Sequence, residues 1–408
     1  MSEVLLLQNA SVLDADRGTL VPDQAVLVEG DRIADVGPSL TADAARVVDV
    51  RGRVLMPGLI DSHVHVIAAS ADLGQVADWS PMYVAAHAGA ILKGMLARGF
   101  TTVRDVGGGD YGLAQALDEG LLEGPRLIFG GRALSQTGGH ADSRARAVTR
   151  VEAGYPYSSL GRVVDGVDEM RRAVREEIKR GAHHIKLMLS GGVASPTDRV
   201  DRTQFSEDEI RAAVGEAEAA NIYVCGHAYT ARAVERGLRC GVRSIEHGNL
   251  MSERSAALFV EHAAFYVPTL VTYSTLAEHG REHGLSETSH RKVFDVLEQG
   301  LHALEMAHRA GASIAYGTDL LGPMHGWQSR EFRIRAEVQP AADVIRSATR
   351  VGSRLLRLDG RIGVVAPGAW ADLLVVDGNP LEDIGVLAEP EQHLRLVMKG
   401  GRVYHDRL

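Results

Sequence analysis

The sequence predicts an α/β fold, a (β/α)8 TIM-type barrel carrying a small discontinuous β-sandwich contributed by both termini. Three observations lead there. Short apolar runs alternate with longer helical stretches through the middle of the chain, the texture of a parallel sheet covered by helices. Eight such runs can be counted between residues 59 and 358. The 408 residues suit a barrel of about 250 residues with insertions plus a smaller partner.

At the N-terminal end, Val4–Leu7, Ala25–Glu29, Arg32–Val36 and Arg46–Val50 are β-rich runs broken at Gly30-Asp31 and Gly37-Pro38. The C-terminal end repeats this texture in Gly363–Gly368, Ala371–Asp377, Leu394–Met398 and Arg402–Tyr404. The simplest account is one β-sandwich built from residues 1–58 and 359–408 around a barrel of residues 59–358. The barrel strands are expected at Leu59–His65, Thr101–Asp105, Arg126–Phe129, His184–Leu189, Tyr223–His227, Arg243–His247, Phe265–Pro268 and Ser313–Thr318. Helices expected at Met82–Arg98, Val167–Arg180, Ser206–Ala220, Ala231–Arg239 and Lys292–Ala310 separate them. Gly130–Asp165, rich in Gly and Arg and without periodicity, is expected to be a long loop over the C-terminal face, where barrel enzymes place their chemistry.

The formal net charge is −9, with 53 acidic against 44 basic residues and no basic block, which argues against a nucleic-acid partner and for a small-molecule one. Cys225 and Cys240 make no metal-spacing motif, and such sparing use suits a reducing compartment. The first residues lack a positively charged signal region, and no segment approaches the roughly 18 apolar residues needed to span a bilayer. A cytoplasmic protein with no membrane partner is the expectation.

The chemistry gathers at the predicted strand ends. In Asp61-Ser62-His63-Val64-His65, side chains alternate across the strand, so His63 and His65 share a face and can share a metal. Strand four carries Lys186, strand five ends in His227, strand six in His247 and strand eight at Asp319. Four His, one Lys and one Asp at one barrel mouth form a ligand set for two divalent cations. An ammonium cannot ligate a cation, but a carbamate made from lysine and carbon dioxide can bridge two, and burial frees the amine for that reaction. His183 and His184 precede Lys186 and are expected to pack; alternation puts only His184 on the face of Lys186.

With these residues in place, the chain resembles the amidohydrolase superfamily over essentially its whole length. The matching pieces are Ile60–His65, Lys186, His227, His247, Asp319 and the closing segment Ala366-Pro367-Gly368-Ala369-Trp370-Ala371-Asp372-Leu373. The resemblance implies that His63, His65 and Asp319 hold a buried metal and that His227 and His247 hold an exposed one. Zinc is the expected ion, and carboxylated Lys186 the expected bridge. It also gives Asp319 a second task, taking a proton from the attacking water and returning it to the departing amine.

Gly138-Gly139-His140, Lys186–Val193 and His227-Ala228-Tyr229 resemble one branch more closely, the metal-dependent dipeptidases and carboxypeptidases that include Xaa-Pro dipeptidases, basic-residue carboxypeptidases and ochratoxin amidase. That branch implies cleavage of the amide bond before a C-terminal amino acid, in a dipeptide or N-acyl amino acid, with Pro or a hydrophobic leaving residue. His140 and Tyr229 would then contact the scissile carbonyl or its oxyanion. Relatives of this branch assemble into homo-oligomers, which the resemblance extends to this chain.

A substrate carboxylate asks for a cationic or backbone anchor, and Arg199, Arg202 and Arg330 are the candidates, with Arg330 carried forward as substrate-binding. Arg144, Arg146 and Arg150 read as a solvated charged loop. Met188, Val193, Tyr273, Met324 and Trp327 are candidates for an apolar side-chain pocket. Two rivals stand beside this reading. A mononuclear deaminase or imidazolonepropionase-like cyclic-amide hydrolase is opposed by Lys186, which those branches lack; a non-enzymatic scaffold is opposed by the complete ligand set.

Overall fold

The computed structural model describes residues 4–42, 45–144, 147–148, 158–195 and 198–408. The barrel strands are Leu59–Val64, Phe100–Asp105, Arg126–Phe129, His184–Met188, Tyr223–Thr230, Ser244–Leu250, Phe265–Val267 and Ser313–Ile314. Every pairing among them is parallel. Their apolar residues, such as Ile185, Leu187, Val224 and Ile245, are buried under helices Val167–Lys179, Glu207–Ala219, Ala231–Arg239 and Glu287–Ala310. Ser206 and Glu209 form a reciprocal capping box that starts the second of these helices. The last begins at Glu287 rather than Lys292, because the Ser286 hydroxyl accepts from the Ser289 N–H and caps it there.

The barrel closes by single bonds rather than by a full ladder. The Ser62 N–H donates to the Tyr316 carbonyl at 2.8 Å, and the Asp319 N–H to the His63 carbonyl at 2.8 Å, joining strand one to the chain beyond strand eight. Strand three meets strand four through the His183 N–H and the Phe129 carbonyl at 2.9 Å. Strand eight is shorter as a ladder than Ser313–Thr318, since its later residues bond singly to strand one.

The stretch Gly130–Asp165 is not wholly loop. Ala133–Ser135 and Gly161–Val163 pair in parallel, and Leu134 aligns with Leu187 of strand four. Three-residue strands are too short to show alternation, which is why the sequence hid them. Arg146, Arg150 and the rest of 145–146 and 149–157, between these strands, lie outside the described residues. Among the described residues no helix is long and apolar enough to cross a membrane, and Cys225 and Cys240 are free buried thiols.

Both chain ends enter one eight-stranded sheet, five strands from the N-terminal part and three from the C-terminal part. Leu373–Val376 sits beside Val54–Pro57 in antiparallel register, so the strand leading into the barrel is flanked by a strand arriving from its far side. One face of this sheet buries Leu5, Leu7, Val26, Leu55, Leu373, Val375 and Leu396. Leu374, Val376 and Leu394 join Phe100 and Leu96 of the barrel layer.

The segment Ala366–Leu373 does the docking. Its Trp370 ring lies 4.0 Å from the Arg126 guanidinium and 5.0 Å from that of Arg32. Its Asp372 carboxylate accepts from Arg126 at 2.7 Å and from the Gly400 N–H at 2.8 Å. Asp372→Ala would strand the half-buried Arg126 and the Gly400 amide, and we predict a loss of about 1–3 kcal/mol of stability. Urea denaturation measures it; an unchanged midpoint would assign the docking to the apolar faces alone.

Candidate active site

The first strand delivers His63 and His65 to one face, as alternation requires, and the turn after strand eight brings Asp319 opposite them. Asp319 Oδ1 lies 3.4 Å from His63 Nε2 and 3.2 Å from His65 Nε2. Each ring has already committed its other nitrogen. His63 Nδ1 donates to Glu246 Oε2 at 2.9 Å, and His65 Nδ1 donates to the Gly107 carbonyl at 2.9 Å. Both protons therefore sit on Nδ1, and the two Nε2 lone pairs meet the carboxylate oxygen. Lone pairs this close repel unless a cation stands between them, and His63 Nε2 is a buried polar atom with no hydrogen-bond partner. The donor set fits a divalent metal.

Strands five and six repeat the device. His227 Nε2 donates to the Gly191 carbonyl at 3.1 Å, leaving Nδ1 free, and His247 Nδ1 pairs with the Thr269 hydroxyl at 2.8 Å, leaving Nε2 free. The two rings lie 4.5 Å apart, and the His247 ring is 4.9 Å from that of His63. Lys186, 1% exposed, lines the same cavity as all four histidines and Asp319. Burial lowers its pKa, against the pull of the Glu246 and Asp319 carboxylates, toward the neutral amine that carbamate formation needs. Burial opposes ionisation of Asp319, so a cation among these lone pairs is what would hold its carboxyl ionised.

The cavity, of about 360 Å³, is lined by Met188, Val193, Tyr273, Leu276, Leu285 and Leu321 together with the ligand candidates. Tyr229 is buried there; the Tyr273 hydroxyl donates to the Tyr229 hydroxyl at 3.1 Å, which leaves the Tyr229 proton for another acceptor. Burial raises the Tyr229 pKa, so the phenol stays protonated. His140 stacks on His227 at 4.2 Å between ring centres, and burial pushes its pKa down to about 3. Its Nδ1 lies 3.1 Å from the Ser195 hydroxyl. A Cβ on Gly192 would come within 2.0 Å of the His140 ring, so only glycine lets the ring reach that position.

Not every expected residue is here. Arg330 is half-exposed, stacks on Trp327 and pairs with Glu278 at 3.7 Å; it does not line the cavity. Arg199 pairs with Asp201 outside it, Arg202 does not line it either, and Arg144 grips Asp142. Met324 packs into the core and Trp327 stacks against His279, so of the expected apolar wall Met188, Val193 and Tyr273 are present. Among the described lining residues, Lys186 is the one cationic side chain. A second cavity of about 930 Å³ lies alongside, lined by Arg162, Arg172 and Lys179, but it contains none of the ligand candidates. His183 packs edge-on against Phe129, and His184 is buried against Tyr223.

Sequence reasoning missed the groups behind the ligands. Arg104 and Glu246, both fully buried, bond at 2.8 Å, and Glu246 also accepts from Ser244 at 2.6 Å. Burial alone would raise Glu246, yet the Arg104 guanidinium keeps it far below the usual carboxylate range, ready to hold the His63 proton. Their positions on inward-facing strand residues were visible, and a charge at a buried strand position is a signal of pairing.

Comparison with known proteins places this geometry. Ochratoxinase from Aspergillus niger is 32% identical over 365 residues, covering 86% of this chain and 75% of its own. A crystal structure of a prolidase complexed with N-methylphosphonate-L-proline superposes with a TM-score of 0.97 at 50% identity, covering 99% of this chain and all of that one (100%). A Xaa-Pro dipeptidase with methionine bound in its active site gives 0.88 at 32% identity, with 99% and 100% coverage. The amidohydrolase family model matches residues 54–403, from the last N-terminal strand through the barrel to the closing sheet, and the chain belongs to that family.

Proposed function

We propose that this protein is a binuclear metal-dependent amidohydrolase that cleaves the amide bond before a C-terminal amino acid, in dipeptides or N-acyl amino acids, with Pro or another largely apolar residue leaving. The observation that carries this reading is Lys186, buried in the same cavity as four histidines whose outer ring nitrogens are all engaged. A cyclic-amide hydrolase with one metal has no use for that lysine. The prolidase with its proline phosphonate and the dipeptidase with its methionine support the leaving-side preference. Residues 1–58 and 359–408 as one sandwich unit, a cytoplasmic location and homo-oligomeric assembly belong to the same reading.

Two divalent ions, zinc being the expected one, would be held by His63, His65 and Asp319 and by His227 and His247, with carboxylated Lys186 completing the ligand set, and would supply polarisation of a carbonyl and acidification of water. The chain's own groups do the rest. Asp319 takes the proton from the attacking water and returns it to the leaving nitrogen, a transfer suited to a carboxylate held ionised. Tyr229, its oxygen receiving Tyr273, donates its hydroxyl to the substrate carbonyl oxygen as negative charge grows there. Met188, Val193, Leu276 and Leu285 exclude water and give the leaving residue an apolar seat.

Lys186→Ala should lose at least one metal by elemental analysis and nearly all turnover, with partial rescue by short carboxylic acids; full metal occupancy would remove the bridging role. Asp319→Asn should keep the fold and cost about 10²- to 10⁴-fold in kcat. A loss of less than about tenfold with both metals bound would move the proton transfer to another group. Tyr229→Phe should lower kcat/KM by roughly 10- to 1000-fold with metal content unchanged. The reading as a whole is tested by screening zinc-loaded protein against Xaa-Pro, Xaa-Arg, Xaa-hydrophobic and N-acyl amino acid libraries. Turnover confined to cyclic amides, with one metal per chain, would overturn it.

A further inference from the structure

The loop that follows strand four is held by an unusual cation. Lys292, on helix Glu287–Ala310, has a side chain only 14% exposed. Its ammonium donates to three backbone carbonyls, Gly192 at 3.1 Å, Ser195 at 2.9 Å and Asp198 at 2.8 Å. Asp198 Oδ1 lies 3.9 Å away. Three donors meet three acceptors, so the ammonium is saturated and sits among carbonyls as a bound monovalent ion would.

Asp198, 2% exposed, gathers the other side of the loop. Its Oδ2 accepts from the Gly192 N–H at 3.1 Å and from Gln204 Nε2 at 2.9 Å, and its Oδ1 accepts the Ser195 hydroxyl proton. Gln204 in turn accepts the His140 N–H at 3.0 Å. Both the backbone and the ring of His140 are thus tied to Asp198 through one intermediary each. The sense of the ring contact follows from proton counting. Carboxylates and backbone carbonyls only accept, and the Ser195 hydroxyl has Asp198 Oδ1 and, at 3.2 Å, the Gly192 carbonyl within reach, so its proton points away from His140. The Ser195 oxygen must then accept, and His140 Nδ1 must carry the hydrogen. In a neutral imidazole this leaves Nε2 bare. The same loop supplies the Gly191 carbonyl that orients His227.

We propose that Lys292, together with Asp198, is a positioning residue: a tethered cation that organises the strand-four loop and, through Ser195 and Gln204, fixes His140 with its proton on Nδ1. His140 then meets the substrate as an acceptor for an N–H group, such as a dipeptide ammonium, and the oxyanion is left to Tyr229. The kinetic consequence rests on the amide-hydrolase reading; the tautomer does not.

The test uses the full-length zinc-loaded protein. Lys292→Met should lower kcat/KM by roughly 10- to 100-fold, the usual range for removing a group that orients a metal-site side chain, with metal content retained. Lys292→Ala should recover activity with added ammonium chloride and not with tetramethylammonium chloride at equal ionic strength. The double variant Lys292→Met/Ser195→Ala should be no worse than the poorer single variant, as groups acting in one chain require. In ¹⁵N-histidine-labelled protein, His140 should show a protonated Nδ1 in the wild type and a mixture of tautomers in both Lys292→Met and Ser195→Ala. Multiplicative losses, activity falling only in proportion to lost metal, or an Nε2-protonated His140 in the wild type would overturn the proposal. If the wild type cleaves no amide, the amide reading fails and the ¹⁵N result alone decides this one. If Lys292 variants do not fold, Ser195→Ala, which deletes one hydroxyl, carries the spectroscopic comparison.

Discussion

The seam between the first and last barrel strands is the constraint on which the site depends. Asp61 sits in it, fully buried, accepting the His63 N–H at 3.0 Å, the Thr318 hydroxyl at 2.6 Å and the Gln328 amide at 2.8 Å. One carboxylate therefore fixes the residue that begins the His63 and His65 pair and the residue just before the Asp319 carboxylate that faces it. Burial raises Asp61 to about 6, the penalty for placing an acid there, and its three donors offset that penalty. Asp319 and His247 adopt left-handed backbone angles, φ 53° and 77°, a conformation that non-glycine residues hold only when their surroundings impose it.

A second buried layer lies below the first. Arg104, Glu246 and Ser244 place a net-neutral cluster under His63, so the imidazole meets a carboxylate whose charge is already balanced. An isolated carboxylate there would be protonated by its burial and could not orient the ring. The same logic, with a cheaper acceptor, recurs at the other three histidines, which use two backbone carbonyls and a threonine hydroxyl. Four rings are aimed by partners of three kinds, and only one of the four partners is itself charged.

The sequence was legible where chemistry and periodicity coincide. Two-residue alternation placed His63 and His65 on one face, and the repeated strand-to-helix texture located all eight barrel strands, because both signals come from burial of every second or every third to fourth residue. It was less legible where a residue's value depends on its neighbour in space. Glu246 and Asp61 look like ordinary strand carboxylates until Arg104, Gln328 and Thr318 are seen beside them. Arg330 reads in the sequence as part of a barrel-mouth loop, but the 3-10 segment Gly322–Arg330 carries it to the outer surface over Trp327. Lys292 gave no sign at all, since it reads as an exposed residue of an amphipathic helix and its acceptors are main-chain atoms that carry no sequence identity.

The apolar wall of the cavity has a different ancestry from its polar floor. Met188 belongs to a barrel strand, but Leu73, Leu276, Leu285 and Leu321 come from short helices and connecting segments beyond the strand ends. None of these four hydrogen-bonds through its side chain to a ring-orienting group. They pack in one apolar cluster with Tyr229 and Tyr273, so a single leucine replacement can widen the cavity without removing any group that orients the four histidine rings. A scaffold partitioned in this way can diversify what it accepts faster than what it does, which makes those leucines the natural starting positions for a library aimed at bulkier amides.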